Sequence, residues 1–280
     1  MIKEIKLIAL DLDGTLFDNS GQISPANKIE IENAVKKGIA VVISTGRPFS
    51  GLPFEQIKDT GIKYAITTNG SALYEIETGK CLFEAALDDA VVIPIINYIM
   101  TKDIHADAFC GGKGYTSEKT LSARSKLDVP ESLLKYIINT REVVPDLATY
   151  IKDKNLHVQK MTLNFHKDAD GILVDREDVK AFLMANPAIN VVCGGYNNLE
   201  FTAAGVDKGM GLKKLAELLS IPMESTMAIG DTENDLSIIQ AAAVGVAMGN
   251  ATEEVKKAAA YITDSNTEDG VAHAIAHFTA

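Results

Sequence analysis

Basic residues are scarce in this chain: 27 lysines and arginines stand against 38 aspartates and glutamates, a formal net charge of −11 over 280 residues. That deficit argues against nucleic-acid and anionic-membrane partners, which attract positive charge. Cysteine is sparse as well. The three present, Cys81, Cys110 and Cys193, are odd in number and widely separated, which excludes a disulfide framework and a metal knuckle and leaves thiols of a reducing compartment. Long apolar runs are missing, since stretches such as Ala90 to Ile96 fall far short of a bilayer span. The start, Met1-Ile2-Lys3-Glu4-Ile5-Lys6, runs straight into the first apolar strand without the long apolar region and cleavage site of a secretory signal. A cytoplasmic protein is expected. Repeats, low-complexity tracts and coiled-coil heptads are absent too.

What remains is an ordinary globular composition, 46% hydrophobic and 23% charged, in a length that suits one large domain or two of ordinary size. The first part alternates short apolar strands at Lys6 to Leu10, Ile39 to Ile43 and Tyr64 to Thr68 with a helix near Ala26 to Lys37. The last part repeats that rhythm, with helices at Met210 to Leu219, Leu236 to Ala242 and from Thr252, and strands at Met227 to Ile229 and Val244 to Met248. Near-continuously apolar strands separated by helices indicate a parallel sheet covered on both faces. The middle differs: helices at Asp89 to Thr101, Glu131 to Asn139, Asp146 to Asp153 and Asp178 to Ala185, and a longer, alternating strand at Val158 to Phe165, indicate a mixed sheet with one face open. The expected fold is α/β: a doubly wound, Rossmann-like parallel-sheet core of residues 1–85 and 191–280 with an inserted α/β domain of residues 86–190.

Four residue groups carry chemistry. In Leu7-Ile8-Ala9-Leu10-Asp11-Leu12-Asp13-Gly14-Thr15 the two aspartates leave a strand on one side, because side chains alternate with a period of two. Asp11 then serves as a nucleophile and Asp13 as a proton carrier, or both merely solvate the strand exit. Gly14 permits a sharp turn, and Thr15 adds a hydroxyl suited to orienting Asp13 or capping the turn. A second strand ends in Ser44-Thr45-Gly46-Arg47-Pro48, whose hydroxyl, N–H and guanidinium either hold phosphate oxygens or cap a following helix. Lys208 stands just ahead of an amphipathic helix, where it either neutralises a phosphoryl or carboxylate oxygen or only meets solvent. The fourth group, Gly230-Asp231-Thr232-Glu233-Asn234-Asp235, offers hard oxygen donors suited to Mg²⁺, yet also has the spacing of a helix-capping box.

All four groups lie at or beside the carboxyl ends of strands expected to be parallel, so they converge on one crevice. Gathering Asp11, Asp13, Asp231 and Asp235 raises their pKa values through mutual repulsion unless a cation sits among them, which implies a divalent metal. Its oxygen ligands are expected to include Asp11, Asp231 and the backbone carbonyl of Asp13, with waters and a substrate oxygen.

The order DxDGT, strand-end Ser/Thr, Lys and GDxxND resembles the haloacid dehalogenase-like phosphatases, here as Asp11 to Thr15, Thr45, Lys208 and Gly230 to Asp235. The long insertion between the second and third groups is similar to the Cof-type branch, with its α/β cap that selects substrate. The resemblance implies a phosphoric monoester hydrolase that uses Mg²⁺ and an aspartyl-phosphate on Asp11, with Asp13 as acid and base. It further implies that Leu12, Thr45, Gly46, Arg47, Lys208 and Asn234 bind phosphate and substrate, that Asp11, Asp13 and Asp231 hold the metal, and that Asp235 supports it from behind. The expected partner is a small phosphorylated metabolite, sugar phosphates first, with no nucleic acid or membrane, on a monomer or weak homodimer. Alternatives are a phosphomutase or phosphotransferase, and a non-enzymatic phospho-receiver or ligand-sensing module.

Secondary features carry less. Asn69-Gly70 matches a Cof-type feature and equally a tight turn, and Gly111-Gly112-Lys113-Gly114 reads as a hairpin turn rather than a phosphate loop. The five histidines lack metal-ligand spacing, and His273 and His277, four apart, are expected on a solvated helix face. Lys113, Tyr115 and Arg124 are candidate substrate contacts in the insertion.

Overall fold

A computed structural model describes residues 4–280; Met1 to Lys3, read above as running into the first strand, lie outside the described residues. The chain divides into two compact units, one of residues 4–47, 52–83 and 207–280 and the other of residues 48–51 and 84–206. Among the described residues no helix is long and apolar enough to cross a membrane.

In the first part of the chain the strands are β1 (Leu7–Leu10), β2 (Ala40–Ser44), β3 (Tyr64–Thr67), β4 (Ala72–Glu75) and β5 (Cys81–Glu84). The middle supplies β6 (His105–Cys110), β7 (Lys113–Ser117), β8 (Arg141–Val144), β9 (Val158–Asn164), β10 (Ile189–Val192) and β11 (Leu199–Ala203). The last part adds β12 (Thr226–Gly230), β13 (Val244–Ala247) and β14 (Tyr261–Ile262).

The sheet of the first unit runs β14-β13-β12-β1-β2-β3-β4-β5. Its members from β14 to β3 are parallel, and β4 turns back antiparallel on β3. Leu7, Ile8, Ala9 and Leu10 are all buried although successive side chains point to opposite faces, so both faces of β1 are covered. Helices Pro25–Lys36 and Gly270–Thr279 pack on each other, as do Lys208–Leu218 and Leu236–Ala241. Their starts are capped as the sequence dictates: Ser24 Oγ accepts from the Asn27 N–H at 3.1 Å with Pro25 at the first helical position, and Asp207 Oδ1 accepts from the Met210 N–H at 2.7 Å. The parallel arrangement has one consequence that matters for chemistry. In register, Leu10 lies beside Ile43 and Ile229, so Asp11, Thr45 and Asp231 all emerge at one sheet edge.

The second unit is built on the mixed sheet β10-β11-β9-β6-β7-β8, antiparallel except for the β7–β8 pair. It continues past residue 190, the limit expected from sequence, to Val206, because β11 pairs with β9 and β10 with β11. Short strands flanked by glycine and asparagine gave no signal of which sheet they join. One sheet face packs Ala106, Ala108, Met161, Leu163 and Phe201 with Val92, Ile96, Ile151 and Leu183 from helices Asp89–Ile99, Leu147–Asp153 and Arg176–Met184. Tyr115, a candidate substrate contact, is part of this core. The other face is polar, as alternation predicts, but it is buried rather than open. Its charges are paired across strands, Arg141 with Asp107 at 2.9 Å and Lys160 with Glu200 at 2.7 Å, and both cations lie over the Phe109 ring. Gly111 and Gly112, at φ of 54° and 78°, make the expected β6–β7 hairpin turn.

In the last helix His273 Nδ1 lies 2.6 Å from Asp264 Oδ2, and His277 stacks on Tyr261. Cys81, Cys110 and Cys193 are free thiols, and burial pushes Cys110 up to about 12.

Ile96 is fully buried in the second unit and Ile138 is half exposed. Ile96→Ala should therefore cost about 2–5 kcal/mol in urea unfolding, and Ile138→Ala less than about 0.5 kcal/mol. Equal costs for the two would contradict this placement of the core.

Candidate active site

The site lies wholly within the first unit and starts where β1 stops. Asp11 is still tied to the sheet, its N–H donating to the Ile229 carbonyl at 3.1 Å. The chain then makes a wide turn in which Leu16 N–H donates to Asp11 O at 3.2 Å and Phe17 N–H to Leu12 O at 2.9 Å. Gly14 makes that turn possible: its φ is 87°, and a Cβ there would stand 2.3 Å from Asp231 Oδ2. The turn is thus pinched against the loop after β12. Thr15 closes the contact by donating to Asp231 Oδ1 at 3.0 Å, so its hydroxyl serves Asp231 and not, as expected, Asp13.

Lys208 joins the parts. Its side chain is fully buried, and Nζ donates to Asp11 Oδ1 and to Asp235 Oδ1, each at 2.7 Å, with Asn234 Oδ1 at 3.5 Å. An ammonium in that position is unstable unless carboxylates surround it. Burial by itself lowers the Lys208 pKa, but Asp11 and Asp235 outweigh it and hold the amine above its ordinary value. Asp235 is fully committed, since its Oδ2 accepts from the N–H groups of Asp231 at 3.1 Å and Thr232 at 3.3 Å. Thr232 and Asp235 do form the capping box their spacing allowed. The capping reading and the lysine-binding reading are both satisfied, because a carboxylate has two oxygens to share.

Charge is not balanced by the lysine. Asp11, Asp231 and Asp235 are buried, with one ligand atom from each lying within 4.8 Å of the others, and Lys208 offsets one charge of three. Burial raises the Asp11 carboxyl well above its usual range, with Lys208 opposing and Asp235 and Asp231 adding. Burial and then Asp235 push Asp231 up to about 7, against the hydrogen bond from Thr15. Ionised, the three carboxylates carry two more negative charges than Lys208 offsets, a buried oxygen donor set that fits a hard divalent cation such as Mg²⁺. Asp11 and Asp231 have the oxygens to offer it, while Asp235 is engaged elsewhere.

The remaining sequence-derived residues divide. Thr45 is buried beside Asp11's strand end, with its N–H on Ile66 O at 2.9 Å and its Oγ1 accepting from Arg47 N–H at 3.2 Å. No α-helix starts there, since the next, Phe54–Ile57, begins after Pro53, so the helix-cap alternative does not hold. Asn234 lies beside Lys208 and accepts from Thr232 Oγ1 at 3.0 Å. Arg47, expected toward phosphate, instead grips Asp13: Nε donates to Oδ2 at 2.8 Å and Nη2 to Oδ1 at 2.5 Å, with the guanidinium over the Phe17 ring. The Asp13 carboxylate consequently stands outside the acidic cluster, about half exposed. For Leu12 and Gly46 the expected contributions are backbone N–H groups, at the turn and at the β2 exit.

Sequence reasoning passed over two asparagines. Asn250 Nδ2 donates to Gly14 O and Asn266 Nδ2 to Phe17 O, both at 2.8 Å, and the Asn266 N–H fixes Asn250 by donating to its Oδ1 at 2.9 Å. They hold the turn after β1 from outside. Their only local signal was their place in loops after β13 and β14, at the same sheet edge.

Residues 8–275 match the haloacid dehalogenase-like hydrolase family. The chain is 32% identical to phosphatase YwpJ of Bacillus subtilis, over 98% of this chain and 99% of that protein. It is 31% identical to the 5-amino-6-(5-phospho-D-ribitylamino)uracil phosphatase YcsE of the same organism, over 98% and 96%. The fold superposes on that of the subclass IIB sugar phosphatase BT4131 with a TM-score of 0.80 and 26% identity, covering 98% of each chain. With four residue groups meeting at one sheet edge and a match that runs through nearly the whole chain, this protein belongs to the haloacid dehalogenase-like hydrolases.

Proposed function

We propose that the chain is a Mg²⁺-dependent phosphatase of small phosphorylated metabolites, sugar phosphates first, acting through an aspartyl-phosphate on Asp11. One observation carries the reading: a fully buried Lys208 spans Asp11 and Asp235 while Asp231 completes a carboxylate cluster with surplus negative charge. A mere structural ion pair would balance its charges; this one leaves them unbalanced beside a carboxylate at a strand end.

Lys208 occupies Asp11 Oδ1, which leaves Oδ2 to attack phosphorus as the ester P–O bond breaks. Asp13 gives a proton to the departing alkoxide, then takes one from the water that cleaves the aspartyl-phosphate, returning Asp11 and releasing inorganic phosphate. Thr45, the Gly46 and Leu12 N–H groups and the Asn234 amide hold the phosphate oxygens, and Lys208 offsets their charge. Asp11, Asp231 and the Asp13 carbonyl would hold Mg²⁺, which when bound supplies positive charge for the transferring phosphoryl group, with Asp235 supporting them through the Asp231 N–H. The grip of Arg47 on Asp13 belongs to the state without substrate. A phosphate dianion competes for that guanidinium and so frees Asp13 to carry its proton. The choice of ester is assigned to the inserted unit, and the protein to the cytoplasm, as a monomer or weak homodimer without nucleic-acid or membrane partners.

With Mg²⁺, the purified chain should hydrolyse p-nitrophenyl phosphate and rank sugar phosphates above other esters by kcat/KM. The panel should include 5-amino-6-(5-phospho-D-ribitylamino)uracil, the ester named for one relative. No release from any compound would overturn the reading. Asp13→Asn should lower kcat on sugar phosphates by about 10²–10⁴-fold. With p-nitrophenyl phosphate the same change should leave the first release of nitrophenolate, seen as a burst, far less affected, because phenolate leaves without a proton, while steady-state turnover falls because the water step still needs Asp13. Acid-quenched Asp11→Asn protein should trap no phosphoenzyme.

The position of Asp231 near 7 sets a pH dependence for the metal-free protein. Between the unfolded value of about 3.9 and about 7 the folded state keeps a proton that the unfolded chain loses. That contribution is fully present below pH 4 and is lost as pH rises to 7, at most about 4 kcal/mol. Unfolding midpoints in EDTA should fall across that window, and saturating Mg²⁺ should oppose the fall at its upper end. Identical profiles with and without Mg²⁺ would count against a metal at these carboxylates.

A further inference from the structure

The turn Thr68-Asn69-Gly70, which follows β3, belongs to none of the four residue groups, yet its backbone is left-handed at three successive residues, with φ of 50°, 55° and 93°. Glycine takes that conformation freely and asparagine tolerates it, whereas a β-branched threonine is strained there by roughly 1–3 kcal/mol. Such strain persists only where surrounding contacts impose it. Several of the contacts here lead to the site. Thr68 N–H donates to Arg47 O at 3.0 Å and Asn69 N–H to Thr45 O at 3.1 Å, so the turn is laced to the β2 exit. Gly70 lies so close to the start of the Lys208 helix that a Cβ would stand 1.9 Å from Asp207 O.

The Asn69 side chain, nearly fully buried, reaches the acidic loop, where its Oδ1 accepts from Asn234 Nδ2 at 3.4 Å. Chemistry fixes the orientation of the Asn234 amide. Its other end meets Lys208 Nζ, which has only protons to give, and Thr232 Oγ1, so that end is the oxygen and the NH₂ faces Asn69. An amide NH₂ has two protons, and Asn69 takes one.

We propose that Asn69 is a positioning residue: it holds the Asn234 NH₂ so that the second N–H is aimed at a substrate phosphate oxygen, and the strained turn exists to put Asn69 there. The inference rests on Asn234 being a phosphate contact, as in the function proposed above.

Asn69→Gly removes the amide while keeping a left-handed residue without strain. With Mg²⁺ and p-nitrophenyl phosphate it should raise KM about 3- to 12-fold, the size of one typical hydrogen bond, weaken inhibition by inorganic phosphate in parallel and change kcat less than about threefold. Asn69→Ala should lower the thermal midpoint through added strain and give the same KM, which separates positioning from stability. In an Asn234→Ala background Asn69→Gly should add nothing. Unchanged KM and phosphate inhibition, or full additivity with Asn234→Ala, would overturn the proposal. A readout that needs no turnover keeps it distinct from the phosphatase reading. In protein labelled with ¹⁵N-asparagine, the Asn234 side-chain NH₂ signals, identified by their loss in Asn234→Ala, should shift in Asn69→Gly. Unmoved signals would overturn the positioning role, whereas a wild-type chain that hydrolyses no ester would overturn the phosphatase reading instead.

Discussion

The buried ammonium of Lys208 is the constraint around which the site is organised. It has no water to solvate it, so the fold must supply carboxylates, and the two it supplies come from the ends of different strands, Asp11 after β1 and Asp235 after β12. Those strands are neighbours in the parallel sheet, which brings their exits together without any long loop. The pairing also partitions the carboxylate oxygens, since one oxygen of Asp11 and both of Asp235 are engaged by hydrogen-bond donors. In the proposed chemistry the same partition separates a nucleophilic oxygen from a supporting group.

Around that centre the loops hold one another more than they are held by secondary structure. Gly14 packs on Asp231, Thr15 donates to it, and Asn250 and Asn266 draw the carbonyls of the same turn outward. The strained turn after β3 ties Thr45 to the Lys208 helix and touches Asn234. Only Asp13 is outside this mesh, about half exposed and gripped by Arg47. That division suits the roles proposed: groups that bind and attack are immobilised, and the one that must move protons in and out faces solvent.

Elements with strong local signals were legible. The apolar run of β1, the capped helix Pro25–Lys36 and the Thr232/Asp235 box are set by burial pattern and cap chemistry within a few residues, and each stands close to where the sequence puts it. The strands β10 and β11 were not, and neither was the end of the inserted unit, because four or five residues of mixed character pair with either sheet equally well until the tertiary partners are known. The polar sheet face of that unit was read from alternation, but its burial was not, since cross-strand pairs such as Lys160–Glu200 join residues forty positions apart.

By itself the sequence determined the class of fold and the cast of the site, because strand period, helix caps and the spacing of Asp11, Asp13, Thr45, Lys208, Asp231, Asn234 and Asp235 are local properties. Tertiary structure decided which atom meets which. It gave Thr15 to Asp231 rather than Asp13, turned Arg47 onto Asp13, divided Lys208 between Asp11 and Asp235, and brought Asn69, Asn250 and Asn266 into the site. Those choices depend on distances between loops that no local pattern encodes, and they are fixed only when the parallel strands deliver all the loops to a single edge and every buried charge has to find its partner there.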